Sequence, residues 1–270
     1  MLKSPLYYGI IFSLLLACLG TQAQITNIEK FRLDKDTANI WMGNISFGFS
    51  NKKQKNTVAE LNSGLHMVYL SKRHSYMTIN YLNLQKVNQV EVISEGYTHW
   101  RANFWRKNIV SYEPFIQFQY DRGRGLQHRH LYGLAFRLNT LQYSKVKYKA
   151  EVAVSTGAMY EDEVWRGEVL HHGIEGDSTR AVTRFFKNTS NVSFRIRLHE
   201  KITYHGIVYY QARFARLDQP RIITDMQLIF KVTRILSLSS DFTSTYDSRP
   251  VVEGNIFTYK LAGSFIIKIN

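Results

Sequence analysis

Three groupings of polar residues in this chain could do chemistry. Glu161, Asp162 and Glu163 are followed by Glu168, His171, His172, Glu175 and Asp177. Carboxylates and imidazoles together can hold a divalent cation. The spacing matches no known ligand loop, however, and polar residues are the usual content of an exposed connection. No metal site is therefore expected. The second grouping, Asp121-Arg122-Gly123-Arg124-Gly125, resembles one unit of a nucleic-acid-binding RGG segment. A single copy reads instead as a glycine-rich turn with solvated arginines. The third is cationic: Lys147, Lys149, Arg195, Arg197 and Arg213, with Glu151 the carboxylate beside them and Asp225 and Asp241 further along. Left hydrated, such a set attracts anions; packed against carboxylates, it fills an interior with ion pairs.

The elements that carry these residues follow a period of two. Trp41, Gly43, Ile45, Phe47 and Phe49 alternate with Met42, Asn44, Ser46, Gly48 and Ser50. Tyr112, Ile116, Phe118 and Tyr120 alternate with Glu113, Gln117, Gln119 and Asp121, and Phe257, Tyr259 and Leu261 with Thr258 and Lys260. Successive side chains of a strand point to opposite faces, so each run is a strand with one apolar and one polar face. About twelve such segments are expected, roughly at 39–51, 58–71, 75–84, 95–106, 111–121, 129–139, 145–161, 185–199, 202–215, 221–232, 235–247 and 255–269. Residues 85–94 could extend either the third or the fourth. No helix-period segment of useful length competes.

The chain has 270 residues, 35 of them Lys or Arg against 21 Asp or Glu, for a formal charge of +14. Its single cysteine, Cys18, excludes a disulfide framework and a cysteine-based metal cluster. Residues 1–23 place Lys3 before an apolar run from Leu6 to Leu19 and end in Thr21-Gln22-Ala23. That is the layout of a secretory signal peptide, and the run is too short for a membrane-spanning helix. Leu15-Leu16-Ala17-Cys18 loosely resembles a lipoprotein box, but the leucine after the cysteine argues for cleavage after Ala23. Residues 24–38 then form a short N-terminal segment, and 39–270 a single β-domain.

Four features favour a transmembrane antiparallel up-and-down β-barrel of about twelve strands over a soluble sandwich. The segments are long, and a strand tilted across a bilayer needs roughly nine to eleven residues. Their apolar faces carry no charge. Aromatic residues such as Trp41, Tyr69, Trp100, Tyr120, Tyr160, Tyr204, Tyr246 and Phe257 fall at segment ends, as interfacial girdles do. Long connections (51–57, 121–128, 162–184 and 248–254) alternate with short ones (71–74, 139–144 and 232–234), which is the outer-membrane pattern.

The runs Glu113–Thr140 (EPFIQFQYDRGRGLQHRHLYGLAFRLNT), Gly157–Glu163 (GAMYEDE) and STYDSRP, before a final YKLAGSFIIKI, resemble one family. It is the YdiY-like group of salt-induced outer-membrane proteins, a domain of unknown function, in its Bacteroidota-type version. The resemblance covers about residues 39–269 and implies an outer-membrane barrel with no activity to carry over. The chain departs from many such barrels in ending Lys268-Ile269-Asn270 rather than in an aromatic residue.

The expected protein is a bacterial outer-membrane barrel with a polar, charge-paired interior, the other reading being a narrow pore for small anionic or polar solutes. Its partners would be membrane lipid, including anionic lipopolysaccharide, and the outer-membrane assembly machinery; export removes nucleic acid. No cofactor is implied. An outer-wall esterase would need a serine beside His130, whose expected neighbours are Tyr120 and Tyr160 or Ala158, so no enzyme is expected. Mass spectrometry of the exported chain should find Gln24 first; a diacylated Cys18 would overturn this processing.

Overall fold

The structure is a computed structural model, and it describes residues 39–53, 55–144, 149–166, 180–233, 236–251 and 256–267. The proposed signal peptide, the Lys147 position, the segment with Glu168 to Asp177 and the C-terminal Lys268 to Asn270 lie outside the described residues.

Twelve strands follow one another: β1 (Ile40–Lys53), β2 (Thr57–Leu70), β3 (Ser75–Val87), β4 (Val90–Asn103), β5 (Val110–Asp121), β6 (Leu126–Ser144), β7 (Lys149–Arg166), β8 (Arg180–His199), β9 (Ile202–Arg213), β10 (Arg216–Lys231), β11 (Leu236–Asp247) and β12 (Phe257–Ile267). Each pairs antiparallel with the next, in sequence order, so the protein is an all-β, up-and-down sheet. With an even number of strands, β1 begins and β12 ends at the same edge of the sheet. We call that end proximal and the opposite end distal. Among the described residues, no backbone ladder joins β1 to β12.

The sheet curls strongly toward one face. Arg137 of β6 reaches Ser193 of β8 at 3.2 Å, across the intervening strand. Arg221 of β10 comes within 3.6 Å of Glu161 on β7. Val251, in the β11–β12 connection, packs with Leu126, Trp165 and Ala181 of β6, β7 and β8. The concave face thus encloses an interior, and its polarity is reversed relative to a water-soluble domain. Among the described residues, 27 polar or charged residues are buried against 17 apolar ones, while 35 large apolar residues are exposed. Phe136, Leu134, Val154, Phe186, Leu228 and Phe242 all point outward. Burying carboxylates and guanidinium groups while exposing Phe and Leu is costly in water and favourable in hydrocarbon.

The outer wall is edged by aromatic rings. At the proximal end, Trp41 packs on Tyr69 at 4.9 Å, Tyr69 on Tyr76 at 6.4 Å, Tyr76 on Phe104 at 6.2 Å, and Phe104 on Tyr112 at 5.2 Å. This row crosses from β1 to β5. Towards the distal end, Tyr160 packs on Phe186 at 5.1 Å. On β5, Tyr112 and Tyr120 stand eight residues apart, which is about 26 Å along the strand and about 20 Å along the axis at a tilt near 40°. The apolar band of an outer-membrane barrel is about 25 Å tall.

Two expectations need correction. Residues 85–94 do not belong to one strand: β3 and β4 meet in a two-residue hairpin at Asn88-Gln89. Both residues have positive φ, 50° and 69°, as a type I′ turn requires. The long distal connections are also shorter than expected, because strands take up most of them. Asp162 pairs with Arg184 and Arg166 with Arg180, so the 162–184 connection is strand at both ends. Likewise β10 starts at Arg216, five residues before the expected start at 221. β6, β7 and β8, at 19, 18 and 20 residues, exceed what a bilayer needs and raise a tall wall at the distal end.

One inward glycine is needed for close approach. A Cβ on Gly133 would meet the Phe115 ring at 2.3 Å and Met159 Cβ at 3.1 Å. Phe115 thereby lies flat across β6, forming a buried cluster with Leu131 and Met159. Replacing Gly133 by Leu should prevent this packing. The expected result is loss of the fast-migrating folded band on an unheated denaturing gel, whereas Ala135→Gly should retain it.

Candidate functional site: the charged interior

The inward positions of β7 are the odd ones, and they continue past Tyr160 to Glu161 and Glu163, each 2% exposed. β8 supplies Lys187 from its inward set, β6 Arg129, β10 Arg221 and β11 Asp247. Glu163 Oε1 accepts from Arg129 Nε at 2.6 Å. Glu163 Oε2 accepts from Trp165 Nε1 at 2.9 Å and from Thr183 Oγ1 at 3.4 Å. Lys187 donates to Glu161. Arg221 lies 3.6 Å from Glu161 and 3.8 Å from Glu163, and its Nε donates to Asp247 Oδ2 at 2.8 Å. Three cations and three carboxylates from five strands thus neutralise one another near the distal end.

This network continues down the interior. Arg129 Nη1 donates to Gln119 Oε1 at 3.5 Å, which also accepts from Gln117 Nε2 at 3.1 Å. Gln117 Oε1 is 2.9 Å from His99 Nδ1, and Arg101 Nε is 3.4 Å from His99 Nε2. These partners fix the tautomer: Nδ1 donates and Nε2 accepts. Arg101 then donates to Glu113 Oε2 at 2.9 Å while stacking on Phe115, and Asn103 donates to Glu113 Oε1 at 2.6 Å. One chain of polar contacts therefore runs from Asp247 at the distal end to Asn103 at the proximal end. Two apolar clusters sit beside it: Phe115, Leu131 and Met159, and Ile207, Tyr209 and Ile223.

The expected cationic wall divides in two. Arg195 and Arg197 face inward near the proximal end of β8, where Lys149 pairs with Arg197 and Glu151 with Arg195. Arg195 Nε donates to His205 Nδ1 at 3.2 Å. Arg213 is elsewhere, near the distal end of β9, with its guanidinium 3.4 Å from the centre of the Phe185 ring. The reason is the alternation of strand direction: the end of β9 lies at the opposite end of the sheet from the end of β8. Two of the carboxylates hold cations outside this wall. Glu113 takes Arg101 and Asp247 takes Arg221. Asp225 accepts from Thr243 at 3.3 Å, and Asp241 from Gln227 at 2.8 Å and Ser239 at 2.9 Å. Asp241 does share a register row with Arg195, through Gln227 and His205.

The charged interior grouping read from the sequence does not include Glu163, Lys187 or Arg221, three central members of this cluster. The odd-numbered alternation points to each: Glu163 is the next inward position of β7 beyond Glu161, Lys187 lies in phase with Arg195 and Arg197 on β8, and Arg221 in phase with Asp225 on β10. Residues 161–163 of the acidic stretch are strand rather than loop: Glu161 and Glu163 point inward to cationic side chains, whereas Asp162 points outward to Arg184 at 3.2 Å. Among the described residues, no group of three or more His, Cys, Asp and Glu could hold a metal ion. The Asp121–Gly125 stretch is a tight turn, Arg124 N donating to Asp121 Oδ1 at 3.1 Å, with Gly125 at φ 86°. His130 has Phe118 and Asp162 as cross-strand neighbours, not Tyr120 and Tyr160, because β6 begins already at Leu126, after a tight turn, and β7 runs on to Arg166.

No family model matches the chain, and no curated protein matches it. Among solved structures, the NanC porin is similar over 83% of this chain and all of that one, at 8% identity and a TM-score of 0.41. A likeness that slight carries no argument.

Breaking a buried ion pair from one side costs about 3–5 kcal/mol, whereas replacing both partners by apolar residues is often close to neutral. Glu113→Leu should therefore lower the unfolding free energy by about 3–5 kcal/mol. Arg101→Met combined with Glu113→Leu should recover most of that loss. Urea unfolding of the refolded protein, followed by tryptophan fluorescence, measures both.

Proposed function

We propose that this chain is a bacterial outer-membrane β-barrel, exported through a cleaved signal peptide, whose interior is sealed by paired charges and which serves the envelope structurally. The observation that carries the reading is the reversed polarity: a charged concave face and an exposed Phe- and Leu-rich wall. A bilayer supplies the solvent such a wall needs, and the aromatic row from Trp41 to Tyr112 suits its interface. The sealed interior rests on the neutral cluster of Glu161, Glu163, Asp247, Arg129, Lys187 and Arg221, with Val251 packed behind it. We read the protein as a non-enzyme, without cofactor, and partnered by anionic membrane lipid and the assembly machinery. The YdiY-like assignment stays with this proposal, on the ordered runs that suggested it.

A pore for small anions is the second reading. What favours it is the proximal group of Lys149, Arg195 and Arg197, in which Arg197 Nε is buried without a hydrogen-bond partner.

Two measurements test these readings. Fractionated cells should hold the protein in the detergent-requiring outer membrane; recovery as a soluble periplasmic protein would overturn the barrel. In planar bilayers the folded protein should be silent, and Glu161→Gln combined with Glu163→Gln, which unbalances the seal, should produce openings. Stable anion-biased openings of the unaltered protein, lost in Arg195→Ser with Arg197→Ser, would establish the pore instead.

A further inference from the structure

The distal cluster leaves two cations over. Arg129, Lys187 and Arg221 are matched by Glu161, Glu163 and Asp247. Arg213 and Arg249 line the same cavity and lie within Coulombic range of each other. No hydrogen bond or ion pair to a described residue engages either guanidinium. Arg213 is nonetheless held in place, flat on the Phe185 ring at 3.4 Å. Stacking fixes the plane of the guanidinium and leaves its five N–H donors free at the ring's edge. Arg249 is exposed at the mouth, and its backbone N–H is tied to Asp247 Oδ1 at 3.1 Å.

A second, independent feature borders the same space. Gln211 lines the cavity two residues before Arg213, on the same inward face of β9. It is 4% exposed, and its amide oxygen is buried without a partner. An unpaired buried acceptor costs about 1–3 kcal/mol, and it is relieved by a donor from a ligand. The cavity measures about 40 Å³, room for about three waters at ~10–15 Å³ each. That accommodates the end of a molecule, not a whole ring.

We propose that Arg213, Arg249 and Gln211 form a binding site for the hydroxy-carboxylate end of a small water-soluble solute. The carboxylate lies in the plane of Arg213, which donates two parallel hydrogen bonds, with Arg249 closing over it. A hydroxyl on the neighbouring carbon donates to Gln211 Oε1. The three carboxylates behind the site are already neutralised, so a monoanion meets a net positive mouth, whereas a dianion lies closer to Glu161 and Asp247 than its second charge tolerates. The site requires the folded sheet but neither membrane residence nor conduction, so it goes beyond the structural reading and does not depend on it.

The test is calorimetric titration of the full mature chain, folded in detergent, with D-gluconate as the probe. Glucose lacks the charge, butyrate lacks the hydroxyl, and inorganic phosphate is the other oxyanion. Gluconate should bind, glucose should not, and butyrate should bind more weakly. Arg213→Gln should weaken gluconate by at least about tenfold, Arg249→Gln by less because it is exposed, and Gln211→Met should abolish the preference over butyrate. Retention of the unheated fast-migrating gel band shows that each variant is folded. Absence of gluconate binding by folded protein, undiminished binding in Arg213→Gln, or tighter binding of phosphate than of gluconate would each overturn the site. Bilayer conductance and cell fractionation read none of these outcomes, so failure here and failure of the structural reading remain separate.

Discussion

A continuous line of ion pairs and hydrogen bonds, from Asp247 through Arg221, Glu163, Arg129, Gln119, Gln117, His99 and Arg101 to Glu113, runs along the concave face. Buried charges carry a desolvation penalty of several kcal/mol each unless geometry and partners offset it. Once the outer wall is committed to Phe, Leu and Val, these groups have nowhere else to go. The curl of the sheet answers that requirement, because only a strongly curved sheet brings Arg221 of β10 to Glu161 of β7 across two strands.

Register ties the interior to the wall. In a strand, a slip of one residue exchanges the faces completely. A slip in β7 or β8 would move Glu161, Glu163 or Lys187 to the outside and turn Tyr160 or Phe186 inward. On a lipid-facing wall a midplane Lys or Arg costs about 2–4 kcal/mol, and the cations left inside would lose their carboxylates as well. The ion pairs therefore specify the pairing of these long strands at least as much as they stabilise it. The places where register shifts, at Gln85/Lys86, Gln119/Asp121, Leu126/His128, Asn139/Leu141, Arg197/His199 and Arg216/Arg221, lie towards strand ends, and two of them adjoin the inward polar line at Gln119 and Arg221.

The two ends of the interior differ chemically as a result of strand direction. At the distal end, the tall wall of β6, β7 and β8 places acids and bases from five strands within reach of one another, and they neutralise. At the proximal end, Arg195 and His205 share a hydrogen bond, and Lys149 and Arg197 stand beside them. Between the two, Phe115, Leu131 and Met159 narrow the interior with apolar volume. Gly133 permits this, since any side chain there would collide with the Phe115 ring.

The sequence by itself determined the fold class and most strand positions, because the alternation of Tyr112, Ile116, Phe118 and Tyr120 with Glu113, Gln117, Gln119 and Asp121 is a local property of side-chain direction. It also determined which side of β8 Arg195 and Arg197 occupy. It did not determine where strands stop, since backbone pairing continued through polar residues such as Asp162 and Arg184 that read as loop. Nor could it say which charges meet. Arg213 belongs with Arg195 by composition, but strand direction sets them at opposite ends; Glu161 and Arg221 are 60 residues apart in the chain and come together only because the sheet curls. Pairing across non-adjacent strands is a property of curvature, and curvature is decided by the whole sheet rather than by any one segment.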